Sequence, residues 1–358
     1  MRHLHRGRLG TALALGLACL AASLARAEVE VDGRRIEVID PHLHPASFGR
    51  MAERGRGFII GSLPPFARLY APALIDRLLD PWAPHIGIRA QADWAGVDHV
   101  LLLAVYTPRT TGYFENEALH SHLASAENAD GWARGLASVH FEEWTTDRLA
   151  LLESWIETYP EHFAGIKLAH AHQAVRFDDP AYLGVYDVAA RHGVAVLLHT
   201  GFSPFPGSQT DPAYYDPSGL AQVVEQYDGA HGLGRVEFVL SHVGQGDARA
   251  VAHALDLAAA HDNVWLELSA LGRPLVIDER GEPVTSSEPQ YPSVLARVLE
   301  RGVVERTMFA TDGPQFSGMM RRYVQTILAA LIDQGYSVDQ IEAVMGGNAR
   351  RLFFEARP

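Results

Sequence analysis

Cysteine is almost absent from this sequence. The chain has 358 residues and a single cysteine, Cys19, which lies in an apolar N-terminal segment. Because a disulfide needs two cysteines, no bridge within the chain can stabilise the fold. A chain of this length with 47% hydrophobic residues can bury a substantial core. The sequence therefore predicts a protein that is stabilised by its hydrophobic core.

Lysine is the second scarce residue. Of the 30 lysines and arginines, only Lys167 is a lysine. It lies in the run Phe163–Ala169, which has the composition of a short buried strand. Arginine can supply a surface charge, but it cannot lose its proton on burial and then act as a nucleophile, a base or a carbamate. The lone lysine therefore predicts lysine chemistry at this position.

Several functional signatures are also missing. After residue 27 no run approaches eighteen uninterrupted apolar residues, the length typical of a membrane-spanning helix. The sequence has no glycine-flanked nucleophilic serine, no phosphate-binding glycine loop and no HExxH helix. These absences argue against an integral membrane protein, a serine hydrolase, a nucleotide-binding enzyme and a zincin.

Residues 1–27 have the pattern of a secretory signal peptide. A basic head contains Arg2, Arg6 and Arg8. An apolar run follows at Thr11–Leu24, and small residues end the segment at Ala25–Ala27. We expect cleavage before Glu28 and a periplasmic or secreted mature protein of residues 28–358. Lipidation at Cys19 is the alternative, although Gly16 fits a lipoprotein signal poorly.

The mature chain is strongly acidic. It retains 26 basic and 43 acidic residues, a formal charge of −17. Such a surface repels nucleic acid and anionic membranes. We therefore expect a small-molecule substrate, no nucleic acid partner and no stable membrane insertion, and the sequence leaves open whether the chain forms a homo-oligomer.

Short apolar runs alternate with longer amphipathic stretches along the whole mature chain. Strands are predicted at Ile36–His42, Val97–Tyr106, Gly135–His140, Phe163–Ala169, Ala195–Thr200, Val236–His242, Asn263–Ser269 and Arg306–Thr311. Helices are predicted from Thr145 or Thr146 onward and at Pro180–His192, Asp247–His261, Tyr291–Arg301 and Gly318–Gln334. Eight such alternations predict an α/β fold, a (β/α)8 TIM barrel spanning residues 28–358.

Three insertions interrupt this pattern. They follow the first, fifth and seventh predicted strands, at Pro45–Ala90, Ser203–Pro217 and Arg273–Pro289. In a barrel, loops after the strands form the face that carries the active site. We expect these insertions to determine substrate specificity.

Polar side chains stand where several of the predicted strands end. His42 and His44 lie two residues apart at the end of the first strand, so that both point to the same side and can hold one metal ion. An isolated pair of this kind is more often structural. Here, however, Lys167, His199, His242 and Asp312 follow at the ends of later strands, and such ends converge at the barrel mouth. The set predicts a metal site.

Other residues near strand ends are ambiguous. They could contact a substrate, and each could equally be an ordinary rim residue: Arg109, His140, His170, His172 and Arg273.

The sequence resembles the amidohydrolase superfamily, in its amidohydrolase-related (amidohydrolase 2) branch, over nearly the whole mature chain. The matching motifs are Asp40-Pro41-His42-Leu43-His44, Gly165-Ile166-Lys167-Leu168, His199-Thr200-Gly201, Ser241-His242-Val243-Gly244, Ala310-Thr311-Asp312-Gly313-Pro314 and Gly347-Asn348-Ala349-Arg350-Arg351-Leu352-Phe353. The last motif is similar to the start of the family's closing helix, where Asn348 would act as a cap.

The resemblance implies a divalent metal, most often Zn2+, held by His42, His44 and Asp312. In one-metal members the position of His199 completes the ligand set, and that of His242 orients or deprotonates the bound water. In two-metal members a carbamylated lysine at the position of Lys167 bridges both ions, and both later histidines bind the second ion. One or two ions both remain open, and a charged Lys167 that pairs with Asp312 or binds a substrate carboxylate is the alternative to a carbamate.

Together with the predicted signal peptide, the resemblance favours a secreted metal-dependent hydrolase in which activated water attacks an amide, lactone or ester carbonyl, and Lys167 favours hydrolysis over decarboxylation. Asp312 would take the proton of the water and deliver it to the leaving group, and His242 would assist. The alternative is a non-oxidative decarboxylase of an aromatic or unsaturated carboxylate. A third hypothesis is an exported metal-binding protein without catalytic activity.

Overall fold

The structure is a computed structural model that describes residues 27–45, 51–62, 65–70, 87–272, 275–277, 283–285, 290–314 and 318–355. The predicted signal peptide, apart from Ala27, lies outside the described residues, as do Arg273 and parts of the first and third insertions. No helix in the described part is long and apolar enough to span a membrane.

The chain alternates between strands and helices. The strands of the described residues are β1 (Val29–Val31), β2 (Arg34–Ile36), β3 (Ile39–Leu43), β4 (His99–Leu103), β5 (Val105–Thr107), β6 (Gly112–Phe114), β7 (Ala133–Ser138), β8 (Phe163–Leu168), β9 (Ala195–His199), β10 (Phe238–Ser241), β11 (Val264–Glu267), β12 (Leu275–Ile277), β13 (Pro283–Thr285) and β14 (Thr307–Met308). The α-helices are α1 (Glu53–Ser62), α2 (Pro65–Arg68), α3 (Arg89–Ala95), α4 (Asn116–Leu123), α5 (Thr146–Thr158), α6 (His170–Gln173), α7 (Gly184–His192), α8 (Ala221–Gln226), α9 (Ala248–Ala260), α10 (Tyr291–Glu300), α11 (Met319–Asp333), α12 (Val338–Glu342) and α13 (Asn348–Phe353).

Eight strands form one parallel sheet, in the order β14-β11-β10-β9-β8-β7-β4-β3. Its two edges meet where Leu43 forms a parallel bridge with Gly313, and the His44 N–H donates to the Gly313 carbonyl at 2.9 Å. Each predicted strand overlaps one strand of this sheet. The predicted (β/α)8 barrel is confirmed.

Asp40 stabilises the seam between the first and last strands. Its carboxylate accepts hydrogen bonds from the Thr311 hydroxyl at 2.6 Å and from the Thr311 N–H at 3.1 Å. It also accepts the His42 N–H at 3.2 Å. Asp40 is fully buried, so these bonds compensate for the loss of its hydration.

Successive side chains along each barrel strand point alternately into two hydrophobic cores, one inside the barrel and one between the sheet and the helices. In β9, Leu197 packs inside the barrel, whereas Val196 and Leu198 pack against the surrounding helices. The inner core is closed at the amino ends of the strands by Leu352 and Phe353 of α13. At the other end of the barrel, the inward positions are taken by polar residues.

Three details differ from the prediction. The second predicted strand, Val97–Tyr106, is divided: β4 ends at Leu103, and Val105 begins a hairpin formed by β5 and β6. Ile36 belongs to the separate β1–β2 hairpin. The predicted capping role of Asn348 is wrong, because Asn348 is the first residue of α13, with Gly347 at the cap position, and its side chain donates to the carbonyls of Val304 and Thr307.

Candidate metal centre

The six predicted site residues all lie at the carboxyl ends of barrel strands. His42 and Lys167 are in β3 and β8, and His199 ends β9. His242 directly follows β10, and Asp312 follows β14. The register aligns His199 with Ser241, and Ser241 with Glu267, so that these strand ends reach the same level of the barrel.

Four of the side chains meet at Nε2 of His42. This atom lies 3.1 Å from His44 Nε2, 3.2 Å from Lys167 Nζ and 3.3 Å from Asp312 Oδ1. His44 Nε2 is also 3.1 Å from Asp312 Oδ1. The predicted ligands from the first, fourth and eighth strands are therefore in direct contact.

The other two histidines adjoin this group. His242 Nε2 lies 3.2 Å from His199 Nδ1, and the His42 and His242 rings are 5.1 Å apart. One ligand atom from each of His42, His242 and Asp312 lies within 4.8 Å of the other two. The fold thus brings together all six residues, and their roles as ligands remain a prediction.

Hydrogen bonds from outside the cluster orient two of its histidines. His42 Nδ1 lies 2.7 Å from Glu267 Oε2, and His242 Nδ1 lies 2.7 Å from Ser269 Oγ. An imidazole whose Nδ1–H donates to such a partner has a free lone pair on Nε2. In both rings, Nε2 is the nitrogen that faces the cluster.

Burial dominates the electrostatics of the site. It raises the pKa of Asp40 to about 7 and raises the pKa of Glu267. It also lowers the pKa of Lys167. Burial acts to raise the pKa of Asp312 as well, but the hydrogen bond from His44 and the surrounding positive charges lower it overall. Asp312 is therefore ionised at neutral pH.

This donor set fits a divalent metal ion. It consists of imidazole nitrogens and a carboxylate, the ligands preferred by zinc and also suited to manganese, iron or cobalt. His199 Nε2 is buried and has no hydrogen-bond partner among the described residues, although a buried nitrogen normally has one. Asp312, the carboxylate that is ionised at neutral pH, offers a negatively charged oxygen to this cluster. Its charge would partly balance that of a bound cation.

Residues 39–354 match the family described as amidohydrolase. The chain belongs to the amidohydrolase family. No curated protein gives a significant match.

Solved structures show the same fold. An uncharacterised TIM-barrel protein from Bordetella bronchiseptica has a TM-score of 0.63 and 16% identity, with 88% of this chain and 98% of that chain covered. The probable 2-pyrone-4,6-dicarboxylic acid hydrolase from Acinetobacter baumannii has a TM-score of 0.55 and 14% identity, covering 89% and 99%. The 5-carboxyvanillate decarboxylase from Sphingomonas paucimobilis has a TM-score of 0.55 and 16% identity, covering 90% and 100%. Identities this low establish the fold of the amidohydrolase and leave its reaction open.

A cleft of about 320 Å³ opens onto the centre of this amidohydrolase. Lys167, His44, His199 and Asp312 lie at its base. Its walls are mainly apolar and aromatic, with Met51, Val105, Phe58, Tyr113, Phe114, Phe205 and Tyr323. Among the described lining residues, Lys167 is the only lysine or arginine.

The β5–β6 hairpin forms one wall of this cleft, and the sequence did not predict it. Met51 of the first insertion pairs with Gly112 of the hairpin. Arg109 at its tip forms a 2.9 Å ion pair with Glu142, beyond the third barrel strand. The hairpin thereby joins a predicted specificity insertion to the barrel.

The ambiguous rim residues have different environments. His172 lines the cleft. His140 and Arg109 are not among its described lining residues. However, His140 Nε2 lies 3.1 Å from the hydroxyl of Tyr113, and Tyr113 does line the cleft. His170 is buried against Phe177, and its Nδ1 lies 3.2 Å from the Val175 carbonyl. These contacts are those of a structural residue.

The sequence prediction missed Glu267, which contacts the cluster of candidate ligands. It has no exposed surface, and its carboxylate contacts His42 and the backbone N–H of Ser269. The available signal was a carboxylate inside the apolar run Val264–Leu268, where an unpaired charge would be costly.

Proposed function

We propose that this amidohydrolase is a metal-dependent hydrolase that uses water to cleave an amide, lactone or ester bond of a small molecule. The supporting observation is a mainly apolar cleft that reaches the polar cluster and contains a single lysine or arginine, Lys167, in its described lining. Such a cleft suits a largely uncharged substrate whose carbonyl reaches the cluster.

His42, His44 and Asp312 would hold the first ion, with His199 as a further ligand. A divalent ion, for which zinc is our first choice, would polarise a carbonyl and lower the pKa of water to about 7. His242 would orient the attacking water in a one-ion site, or bind a second ion together with His199.

Asp312 would transfer the proton. Its lowered pKa keeps the carboxylate ionised at neutral pH, and 18% of its side chain is exposed, so that it can be reached from the cleft. Oδ1 would accept a proton as water adds to the carbonyl carbon. It would then deliver that proton to the nitrogen or oxygen that leaves when the bond to carbon breaks.

Lys167 has the environment that carbamate formation requires. Burial lowers the pKa of its amine and so favours the neutral form that can react with carbon dioxide. A carbamate would add a carboxylate-like ligand for two ions, whereas an unmodified amine would bind substrate. Intact mass measured without acid distinguishes them, since the carbamate adds the mass of one carbon dioxide.

Metal analysis of the purified enzyme tests the ligand assignment. His42→Ala and Asp312→Ala should lose bound metal and activity together while the barrel remains folded. His231→Ala is a matched control, because His231 pairs with Asp228 on the surface at 3.0 Å. Full metal content in the first two variants would show that the assignment is wrong. Full metal content with no turnover on a broad substrate panel would favour a metal-binding protein without catalytic activity.

A non-oxidative decarboxylase is the second candidate, because solved structures with this fold include decarboxylases. Such an enzyme must bind an anionic carboxylate, for which the described lining of the cleft offers a single lysine or arginine, Lys167, beside the metal that the cluster would hold. A product assay decides between the reactions: decarboxylation releases carbon dioxide, whereas hydrolysis produces a new carboxylate and consumes water.

We also propose that the enzyme is exported. The pattern of residues 1–27 supports cleavage before Glu28. Intact mass of the protein from a periplasmic extract should correspond to residues 28–358. A chain beginning at a lipidated Cys19 would contradict this proposal.

A further inference from the structure

His172 is held against the cleft by two neighbouring loops. Its Nδ1 lies 2.8 Å from Thr110 Oγ1 in the β5–β6 hairpin and 3.5 Å from Ser208 Oγ in the loop after β9. The same loop is joined to the short helix of His172 by a backbone hydrogen bond from Gln209 to Ala171 at 2.8 Å. The side chain is only 8% exposed. Its position is therefore fixed from two sides.

The hydrogen bonds around His172 determine which nitrogen carries the proton. The Thr110 hydroxyl donates to the Thr107 carbonyl at 3.4 Å, and the Ser208 hydroxyl donates to Ser203 Oγ at 3.0 Å. Because each hydroxyl has one hydrogen, both oxygens are left as acceptors toward the imidazole. This arrangement favours Nδ1 of His172 as the donor, and in that form the neutral ring has its lone pair on Nε2.

Nε2 of His172 has no hydrogen-bond partner among the described residues, and the residue lines the cleft. The ring stands edge-on to that of His199, with 4.8 Å between centroids. Nearby, Phe205 and Phe58 form an aromatic wall, with centroids 4.9 Å apart. A fixed acceptor thus lies on a largely apolar wall beside the proposed centre.

We propose that His172 determines substrate specificity by accepting, through Nε2, a hydrogen bond from a hydroxyl or N–H group of an uncharged aromatic substrate, close to the reacting carbonyl. The reacting carbonyl is the one that the proposed hydrolase would cleave, and in this respect the proposal rests on the proposed function. The recognition itself requires only the cleft and the Nδ1–H form of the imidazole. Compounds without the donor group would cover this acceptor without pairing it, which weakens their binding.

The protonation form can be measured directly in the purified metal-containing enzyme. Long-range 1H–15N correlation of histidine side chains should show a protonated Nδ1 and a bare Nε2 for His172, assigned by comparison with His172→Phe. Thr110→Val removes the acceptor, so the two neutral forms should become mixed, whereas Thr110→Ser should preserve the wild-type pattern. A His172 protonated on Nε2 in the wild-type enzyme would overturn the proposal.

Binding of two probes tests the recognition. Benzyl alcohol has a hydroxyl donor and benzyl methyl ether does not, and neither contains a carbonyl to be cleaved. By ligand-observed NMR, the wild-type enzyme should prefer the alcohol about fivefold, the size expected of one neutral hydrogen bond. His172→Phe keeps a planar ring without nitrogen and should abolish the preference. Thr110→Val should reduce it, and Thr110→Ser should retain it.

The outcomes separate this inference from the proposed function. An equal preference in the wild-type enzyme and His172→Phe, or no binding of either probe, would refute the role of His172. Preferential binding of the alcohol without hydrolysis of any carbonyl compound would refute the hydrolase assignment alone, because this assay needs no turnover.

Discussion

Replacing Glu267 by glutamine tests whether a buried carboxylate sets the metal affinity of the site. Oε2 of Glu267 lies 2.7 Å from His42 Nδ1, and the residue has no exposed surface. Glutamine preserves the shape and one acceptor oxygen but cannot ionise. Loss of such an outer partner typically weakens metal binding ten- to a hundredfold, equivalent to about 1.4–2.7 kcal/mol. We expect a loss in this range.

The assay is a competition between the enzyme and a chromophoric chelator for Zn2+, with circular dichroism to verify that the variant is folded. Catalytic efficiency measured at limiting metal should fall together with affinity. Excess metal should restore most of the activity, because glutamine leaves the predicted ligands of the ion in place.

Glu153→Gln is the matched control. Glu153 also pairs with an imidazole, that of His192 at 3.0 Å, but this pair is partly exposed and joins helices α5 and α7 instead of lying at the strand ends. This substitution should leave metal affinity unchanged. If Glu267→Gln bound metal as tightly as the wild-type enzyme, Glu267 would not act through His42, and its burial would need another explanation.

Three further predictions follow from buried groups. If Lys167 bridges two ions as a carbamate, Lys167→Arg should be as inactive as Lys167→Ala in a turnover assay, whereas substantial activity of the arginine variant would indicate a positive charge alone. Burial lowers the pKa of His170 from 6.5 to about 3. Between pH 6.5 and pH 3 the unfolded chain therefore binds one proton that the folded protein does not bind. The stability that the protein has above pH 6.5 is lost as the pH falls through this range. Denaturant titrations should show that the wild-type protein loses about 1.7 kcal/mol more than His170→Gln between pH 6.5 and pH 5. Asp40→Ala leaves the buried donors of Thr311 and His42 unpaired and should lower the free energy of unfolding by about 3 kcal/mol or more by the same titrations, whereas a loss below about 1 kcal/mol would contradict the seam role of Asp40.

The barrel could be predicted because its strands are short apolar runs that end in polar or glycine-containing turns. Even the eighth strand was located correctly, although only Thr307 and Met308 pair with the neighbouring strand β11. The β5–β6 hairpin was missed because Val105 continues the apolar run of β4 without a break in composition. Pro108 and Gly112 are turn residues that could have indicated it.

The clustering of the six site residues could also be predicted, since the topology places strand ends together. Their hydrogen-bond partners could not. Glu267 is 225 residues from His42, and Thr110 is 62 residues from His172, so neither contact has a local signal. Which ring nitrogen carries the proton depends on these partners, and it therefore depends on how the barrel closes.

Backbone strain in this fold is concentrated on the face that carries the site. At the helix-to-strand turns, left-handed positions are occupied by glycine, as at Gly193 and Gly302. At the strand ends of the site, left-handed backbone occurs at His242 and Asp312, with φ of 65° and 56°. Such conformations cost a non-glycine residue on the order of 1–3 kcal/mol.

Glycine would relieve that strain, but it could not supply an imidazole or a carboxylate. The turn redirects the chain directly at the functional residue, so that the side chain reaches the cluster while the backbone leaves the strand. At His242, the turn also places Nδ1 within 2.7 Å of Ser269 Oγ. The cost at these positions is therefore a consequence of their chemistry, and it explains why histidine and aspartate occupy positions where conformational preference alone would favour glycine.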